Sequence, residues 1–87
     1  MIKLTRNQPQ NRHTIVRVEG RLDSETVHEL QTFLSAIDTP EPIALDLSGL
    51  SSVDLDGRSA LVKLQAAGHR IVGASLYIQH LLEEAHP

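Results

Sequence analysis

Asp46, Asp54 and Asp56 place three carboxylates in one short stretch of the sequence. The last two lie next to Gly57, where the residues that follow predict the start of a helix. A helix N-terminus carries roughly half a positive charge, so it favours an anionic group. Its simplest use for a carboxylate is a helix cap, which is worth about 1 kcal/mol. We expect Asp56 to be that cap, whatever else it does.

A second interpretation gives the same residues a catalytic role. The run DLDG at 54–57 resembles the paired-aspartate signature of haloacid dehalogenase-like phosphatases. In those enzymes the first Asp is the nucleophile, the second is an acid/base, and Mg²⁺ lies between the pair and the phosphate. Their signature follows an apolar strand, however, whereas the segment 49–53 is rich in small polar residues. Arg58 also stands where that family usually has Thr. A phosphatase is therefore the least favoured interpretation.

Other metal or cofactor sites are not indicated. A calcium loop needs ligands at alternate positions over about 12 residues, and only Asp54 and Asp56 comply. No two histidines are three or four positions apart, and we expect most of them to be exposed. The five histidines are His13, His28, His69, His80 and His86. We predict neither a metal nor a cofactor.

The composition limits the function classes further. The chain has 87 residues, which predicts one domain over 1–87. Its formal net charge is −3, its cations are dispersed and it has only two aromatic residues, so nucleic-acid binding is not expected. Cysteine is absent, and the sequence contains neither a bilayer-spanning apolar run nor the apolar core of a signal peptide. We expect a cytoplasmic protein without membrane insertion.

Four strands are predicted to position these residues. Alternating apolar and polar residues indicate strands at 2–5 and 15–19, which form a hairpin around a polar turn at 7–12. Two short apolar runs indicate further strands at 43–47 and 70–73. We expect Leu45 to lie in the central strand.

Three helices are predicted from helical spacing of apolar residues. Asp23 or Ser24 caps the first, and Ser75 caps the third. Gly68 ends the second helix. The residues expected to face inward are Val27, Leu30, Leu34 and Ile37 in the first helix, Ala60, Leu61, Leu64 and Ala67 in the second, and Ile78, Leu81, Leu82 and Ala85 in the third.

The resulting order β-β-α-β-α-β-α predicts an α/β fold. Its sheet is expected to be mixed, mainly parallel and four-stranded, with an N-terminal hairpin and three helices. In such sheets the functional edge lies beyond the carboxyl ends of the strands. Here the loops that begin at Ser48 and Gly73 form that edge. The segment 48–57 is predicted to be a loop.

Four segments in this order resemble the STAS domains shared by sulphate transporters and anti-sigma factor antagonists. VRVEGRLD at 16–23 resembles the hydrophobic strand and G-x-L-D opening of that family. IALDLSG at 43–49 resembles its central strand, and VDLDG at 53–57 resembles its D-S/T-S-G loop. IVGAS at 71–75 resembles the strand and turn that follow. The resemblance covers residues 13–85.

This resemblance implies an adaptor that binds proteins through the loop and the helix after it. In many members an anti-sigma kinase phosphorylates the second Ser of the loop, and other members are subunits of membrane transporters. The expected partner is therefore an anti-sigma kinase-like protein or the ATPase of a phospholipid-type ABC transporter. The residues assigned to the binding or switch loop are Asp54, Leu55, Asp56, Gly57 and Arg58, with support from Asp46, Ser48 and Asp23.

The sequence departs from the family at the phosphoacceptor. Asp56 replaces the acceptor Ser, Leu55 replaces a small hydroxyl residue, and Arg58 replaces an apolar one. A carboxylate carries about −1 charge, against −1.5 to −2 for phosphoserine. Either the charge of Asp56 permanently mimics a phosphorylated serine, or the loop of this chain was never used as a switch. The family pattern also has a further strand and helix, so a sheet edge is open here to a partner or to a second copy in a homodimer.

The missing acceptor generates a first prediction. We expect incubation with ATP and an anti-sigma kinase to leave the chain unmodified, because Asp56 has no hydroxyl to phosphorylate. Intact-mass spectrometry checks this. A stoichiometric gain of one phosphate at Ser51, Ser52 or Ser59 would show instead that the acceptor has moved.

Overall fold

A mixed sheet with one long strand at its centre organises the chain. The computed structural model describes residues 1–8, 14–37, 39 and 41–84. Within these ranges there are five strands and three helices. The strands are β1 (Ile2–Asn7), β2 (Ile15–Leu22), β3 (Ala44–Asp46), β4 (Leu50–Val53) and β5 (Arg70–Val72). The helices are α1 (Val27–Ser35), α2 (Leu55–Ala66) and α3 (Leu76–Glu84).

The eight-residue strand β2 has three neighbours. It pairs with β1 in an antiparallel hairpin, as predicted. On its other side its first half pairs in parallel with β3, and its last residues pair in parallel with β4. Strand β5 then extends the sheet beyond β3, also in parallel. Since α1, α2 and α3 follow β2, β4 and β5, all three helices begin at the same edge of the sheet.

Aliphatic side chains form the core, as the scarcity of aromatic residues predicts. Leu45 of β3 and Leu61 of α2 are fully buried, so both predicted core positions are confirmed. The alternation in β2 buries Val16 and Val18 and exposes Arg17. The main cluster of buried apolar residues comprises Val16, Val18, Leu22, Leu30, Ile43, Leu45, Leu47, Leu50, Leu61, Ile78 and Leu82.

The predicted fold class is confirmed, and one segment was assigned wrongly. Residues 50–53, predicted to lie in a loop, form β4. The prediction ended β2 at residue 19, whereas β2 continues to Leu22 and offers its last residues to a further partner. Leu50 is buried while Ser51 and Ser52 are exposed. Because of these two serines, the segment lacks the alternating apolar residues by which a strand is predicted.

The helix predictions hold with small shifts. Ser75 caps α3 as predicted, because its Oγ accepts a hydrogen bond from the Ile78 N–H at 3.3 Å. Gly68 follows the end of α2 with a φ of 101°, also as predicted. Ala67 is exposed rather than inward, since α2 ends at Ala66. The predicted turn at 7–12 lies largely outside the described residues, as do Ala85 and His13.

His69 has a structural role that the sequence did not indicate. Its Nδ1 accepts a hydrogen bond from the Ile43 N–H at 3.0 Å. The adjacent Arg70 N–H donates to the Ile43 carbonyl at 3.0 Å. The loop between α2 and β5 thus holds the start of β3 through both backbone groups of Ile43.

Two glycines with matching backbone angles give a controlled test of the fold. Gly20 has φ 98° and Gly68 has φ 101°, so alanine meets a similar backbone cost of about 1–2 kcal/mol at each. A Cβ at Gly20 would lie 2.4 Å from the Met1 carbonyl oxygen, which accepts the Arg21 N–H, whereas a Cβ at Gly68 meets nothing within 4 Å. We expect Gly20→Ala to lower the free energy of unfolding by about 1 kcal/mol more than Gly68→Ala. Urea titration measures both, and equal losses would contradict the close approach of β1.

Candidate functional site

The side chain of Asp54 joins the start of α2 to the turn that precedes α1. Its Oδ1 accepts the Gly57 N–H at 2.9 Å, which is the bond of a helix N-cap. Its Oδ2 accepts the Ser24 N–H at 3.1 Å, across thirty positions of sequence. The helix cap is therefore Asp54, and the expectation that Asp56 caps α2 was wrong. The helix begins one residue before Asp56, which places Asp56 inside its first turn.

Asp23 binds the same turn from its other side. Its Oδ1 accepts the N–H groups of Glu25 at 3.0 Å and Thr26 at 3.1 Å. Together with Asp54 it thus engages three consecutive backbone N–H groups, those of residues 24–26. Helix α1 begins only at Val27, so the predicted capping residue Asp23 caps this turn and not the helix itself.

Thr26 completes the turn from inside. It is almost fully buried, and its Oγ1 donates to the Arg21 carbonyl at 2.8 Å. The same oxygen accepts the Asp23 N–H at 2.9 Å. These bonds satisfy a buried hydroxyl and tie the turn to the end of β2.

Gly57 is a packing requirement of the site. It is buried in the first turn of α2, and a Cβ there would lie 2.3 Å from the Leu22 carbonyl oxygen. That carbonyl accepts the Asp54 N–H at 3.1 Å, so it cannot move away without breaking the bond. Any larger residue would push α2 from the end of β2. Gly57 therefore positions the loop and is not available to a partner.

Leu55 and Asp56 are what this arrangement presents to solvent. The side chain of Leu55 is 72% exposed, about as much as that of Leu76 in the first turn of α3. Asp56 is exposed and forms no hydrogen bond or ion pair within the described residues. Its place in the first turn lets the helix field stabilise its charge. Arg58 is partly buried.

Asp46 and Ser48 form a separate turn at the end of β3. Asp46 Oδ1 accepts the Ser48 N–H at 3.0 Å. The backbone and hydroxyl of Ser48 lower the pKa of Asp46. No hydrogen bond joins this pair to residues 54–58 within the described chain. Both were predicted as support for the loop; the structure assigns them to the β3 turn.

The pKa of Asp23 is also lowered. Burial acts to raise it, and the hydrogen bonds from the Thr26 and Glu25 N–H groups outweigh burial. A folded pKa below the ordinary 3.8 means that the carboxylate of Asp23 stabilises the fold above that pH and loses this contribution as the pH falls below it.

The phosphatase interpretation gains no support from the contacts of Asp54. Each of its oxygens accepts a backbone N–H bond, so the side chain holds the start of α2 and the turn before α1. In the part of the chain that the structure describes, no three His, Asp or Glu side chains form a group able to hold a metal ion. Nor does any helix there have the length and apolar character to span a bilayer.

Comparison with known proteins agrees with this architecture. A family model described as "Mlab, STAS domain" matches residues 5–85. Among curated proteins, none matches the sequence significantly. Among solved structures, the STAS domain of an anti-sigma-factor antagonist from Rhodobacter sphaeroides is 28% identical, with 83% of this chain and 86% of that chain covered and a TM-score of 0.59.

Two further structures are alike in fold. The anti-sigma factor antagonist SpoIIAA in its unphosphorylated form is 17% identical, with coverage of 93% and 82% and a TM-score of 0.64. An uncharacterised protein of the DUF3478 family with a SpoIIAA-like fold, from Shewanella loihica PV-4, is 20% identical, with coverage of 97% and 76% and a TM-score of 0.54.

The two aspartates beside Gly57 should differ in their effect on stability. Asp54→Ala removes the cap of α2 and the acceptor of the Ser24 N–H, so we expect a loss of about 1–2 kcal/mol. Asp56→Ala removes only a charge near the helix N-terminus, for which about 0.3–1 kcal/mol is expected. Urea unfolding of both variants measures the difference. A greater loss for Asp56→Ala would contradict the assignment of the cap.

Proposed function

The chain belongs to the STAS domain family, and we propose that it is a small regulatory domain that docks onto a partner protein through the first turn of α2. One observation carries this proposal. Backbone hydrogen bonds to Asp54 and the close packing of Gly57 fix that turn, while Leu55 and Asp56 remain exposed on it. A preformed turn loses little conformational entropy when a partner binds.

Leu55 is the apolar anchor of the proposed interface. Residues that dominate binding energy insert into a pocket of the partner and are surrounded by polar contacts that exclude water. Leu55 has this character, because it is exposed and is followed directly by a charged residue. Its burial on binding releases water from a leucine side chain, worth about 1.5–3 kcal/mol.

Asp56 supplies a fixed negative charge at the position of the family's phosphoacceptor. The side chain is exposed, and within the described residues no cation or donor engages it. We propose that the partner binds the carboxylate directly. The affinity of the chain for its partner is then constant and is not controlled by a kinase. Two structural neighbours are anti-sigma factor antagonists, which supports a protein partner of the anti-sigma kinase type.

A second candidate function follows from the absence of a phosphorylatable hydroxyl at residue 56. A chain that cannot be switched at residue 56 suits a permanent subunit, such as the STAS subunit of a membrane ABC transporter that docks on its ATPase. Either role is non-catalytic and belongs in the cytoplasm. The identity of the bound protein separates the two, since one is a protein kinase and the other a transporter ATPase.

The test uses the partner recovered from the native host by affinity capture on the wild-type chain. Its affinity is then measured calorimetrically for wild type, Leu55→Ser, Asp56→Asn and Glu29→Gln. Glu29 is the matched control, because it is an exposed acid in the first turn of α1. We expect Leu55→Ser and Asp56→Asn each to weaken binding about tenfold or more, and Glu29→Gln to change it less than twofold.

Two further variants separate charge from shape. Asp56→Ser and Asp56→Ala both remove the charge, and both leave the Asp54 cap in place. If the partner recognises the carboxylate, the two share the loss of affinity. Wild-type affinity in Asp56→Ser would exclude recognition of the charge, and wild-type affinity in Leu55→Ser would exclude docking through this turn.

A further inference from the structure

A groove runs between α1 and α2, beginning at the proposed docking turn. Both helices start at the same edge of the sheet, and each contributes one stripe of side chains at helical spacing. The stripe from the α1 side contains Ser24, Val27, His28 and Gln31, and the stripe from α2 contains Asp56, Ser59, Ala60 and Lys63. The groove has a volume of about 260 Å³.

The floor and walls of this groove differ in character. Ala60 is buried and Val27 is half-buried, so the floor is apolar and shallow. The walls carry six exposed polar residues, namely Ser24, His28, Gln31, Asp56, Ser59 and Lys63. Within the described residues none of these six side chains forms a hydrogen bond or an ion pair. The nearby Asp23, Thr26 and Asp54 all bind the backbone.

The two charges lie at opposite ends of the α2 wall. Asp56 is in the first turn of α2 and Lys63 is in its last turn. Seven positions correspond to two turns, which places their backbone positions about 10 Å apart along the helix axis. They are too far apart to pair with each other, so each is available to an opposite charge.

From this arrangement we infer that the groove binds one helix of the partner protein, with a basic residue opposite Asp56 and an acidic residue opposite Lys63, seven positions apart. The inference rests on the proposed function and extends it from one turn to the length of two helices. The spacing follows because a partner helix that lies along the groove has the same rise per residue. Small or apolar side chains between the two charges would rest on Val27 and Ala60.

The test repeats the affinity measurement on the captured partner with Lys63→Glu, which reverses the charge at the far end of the groove. Lys3→Glu is the control, since Lys3 is exposed on β1 and does not line the groove. We expect Lys63→Glu to weaken binding about tenfold at low salt and less at high salt, and Lys3→Glu to change it less than twofold. Gln31→Ala probes the other wall, with an expected loss of a few-fold. Circular dichroism verifies that each variant is folded.

Photo-crosslinking identifies the occupant. Benzoylphenylalanine at position 59 lies in the groove, and at position 32, on an exposed site of α1 that does not line it, it serves as the control. We expect position 59 alone to crosslink, to a partner helix with a basic and an acidic residue seven positions apart. A crosslink to an extended segment or to a second copy of this chain would overturn the inference. Wild-type affinity of Lys63→Glu would also overturn the inference. If Leu55→Ser still weakens binding in that case, the proposed function stands without the groove.

Discussion

The binding of three consecutive backbone N–H groups by two carboxylates is the constraint on which the site depends. Asp23 follows β2 and Asp54 follows β4, and both accept hydrogen bonds from the turn at residues 24–26. The Thr26 N–H is partly buried, where an unpaired group would cost free energy comparable to a lost hydrogen bond, and the other two N–H groups are exposed. The start of α1 is thereby fixed relative to the start of α2. The positions of the exposed Leu55 and Asp56 depend on that relation.

The pairing of β4 with β2 also fixes the start of α2 relative to the end of β2. The Asp54 N–H donates to the Leu22 carbonyl, and Gly57 packs against that carbonyl without a side chain in between. The axis of α2 therefore lies close to the end of β2, and the first turn of the helix has no room to shift. This explains how a short chain with an aliphatic core holds an exposed leucine in a defined position.

The sequence was sufficient for the fold class, because the fold class depends on local pattern, whereas the site residues stay a prediction. Periodicity and short apolar runs located three helices and four strands, and the resemblance around residues 53–57 indicated the segment proposed to bind a partner. The cap assignment failed at Asp56, since two aspartates two positions apart give equal signals and only the contacts of the turn decide between them. Strand β4 was missed because its exposed positions are serines. The bond from Ser24 to Asp54 spans thirty positions, and no spacing rule signals it.

The parallel pairing of β2 with β4 is also a condition for the native geometry of the turn at residues 54–57. Gly20 pairs with Leu50, so the chain must close a loop of about thirty residues before this contact contributes any stability. The hairpin of β1 and β2 can form from local contacts, but the turn at residues 54–57 requires β2, β4 and the α1 entry together. A partly folded chain therefore does not present Leu55 and Asp56 in their native geometry. Under the proposed function, partner binding is in this way coupled to completion of the fold, and a partly folded copy of the chain would not compete for the partner.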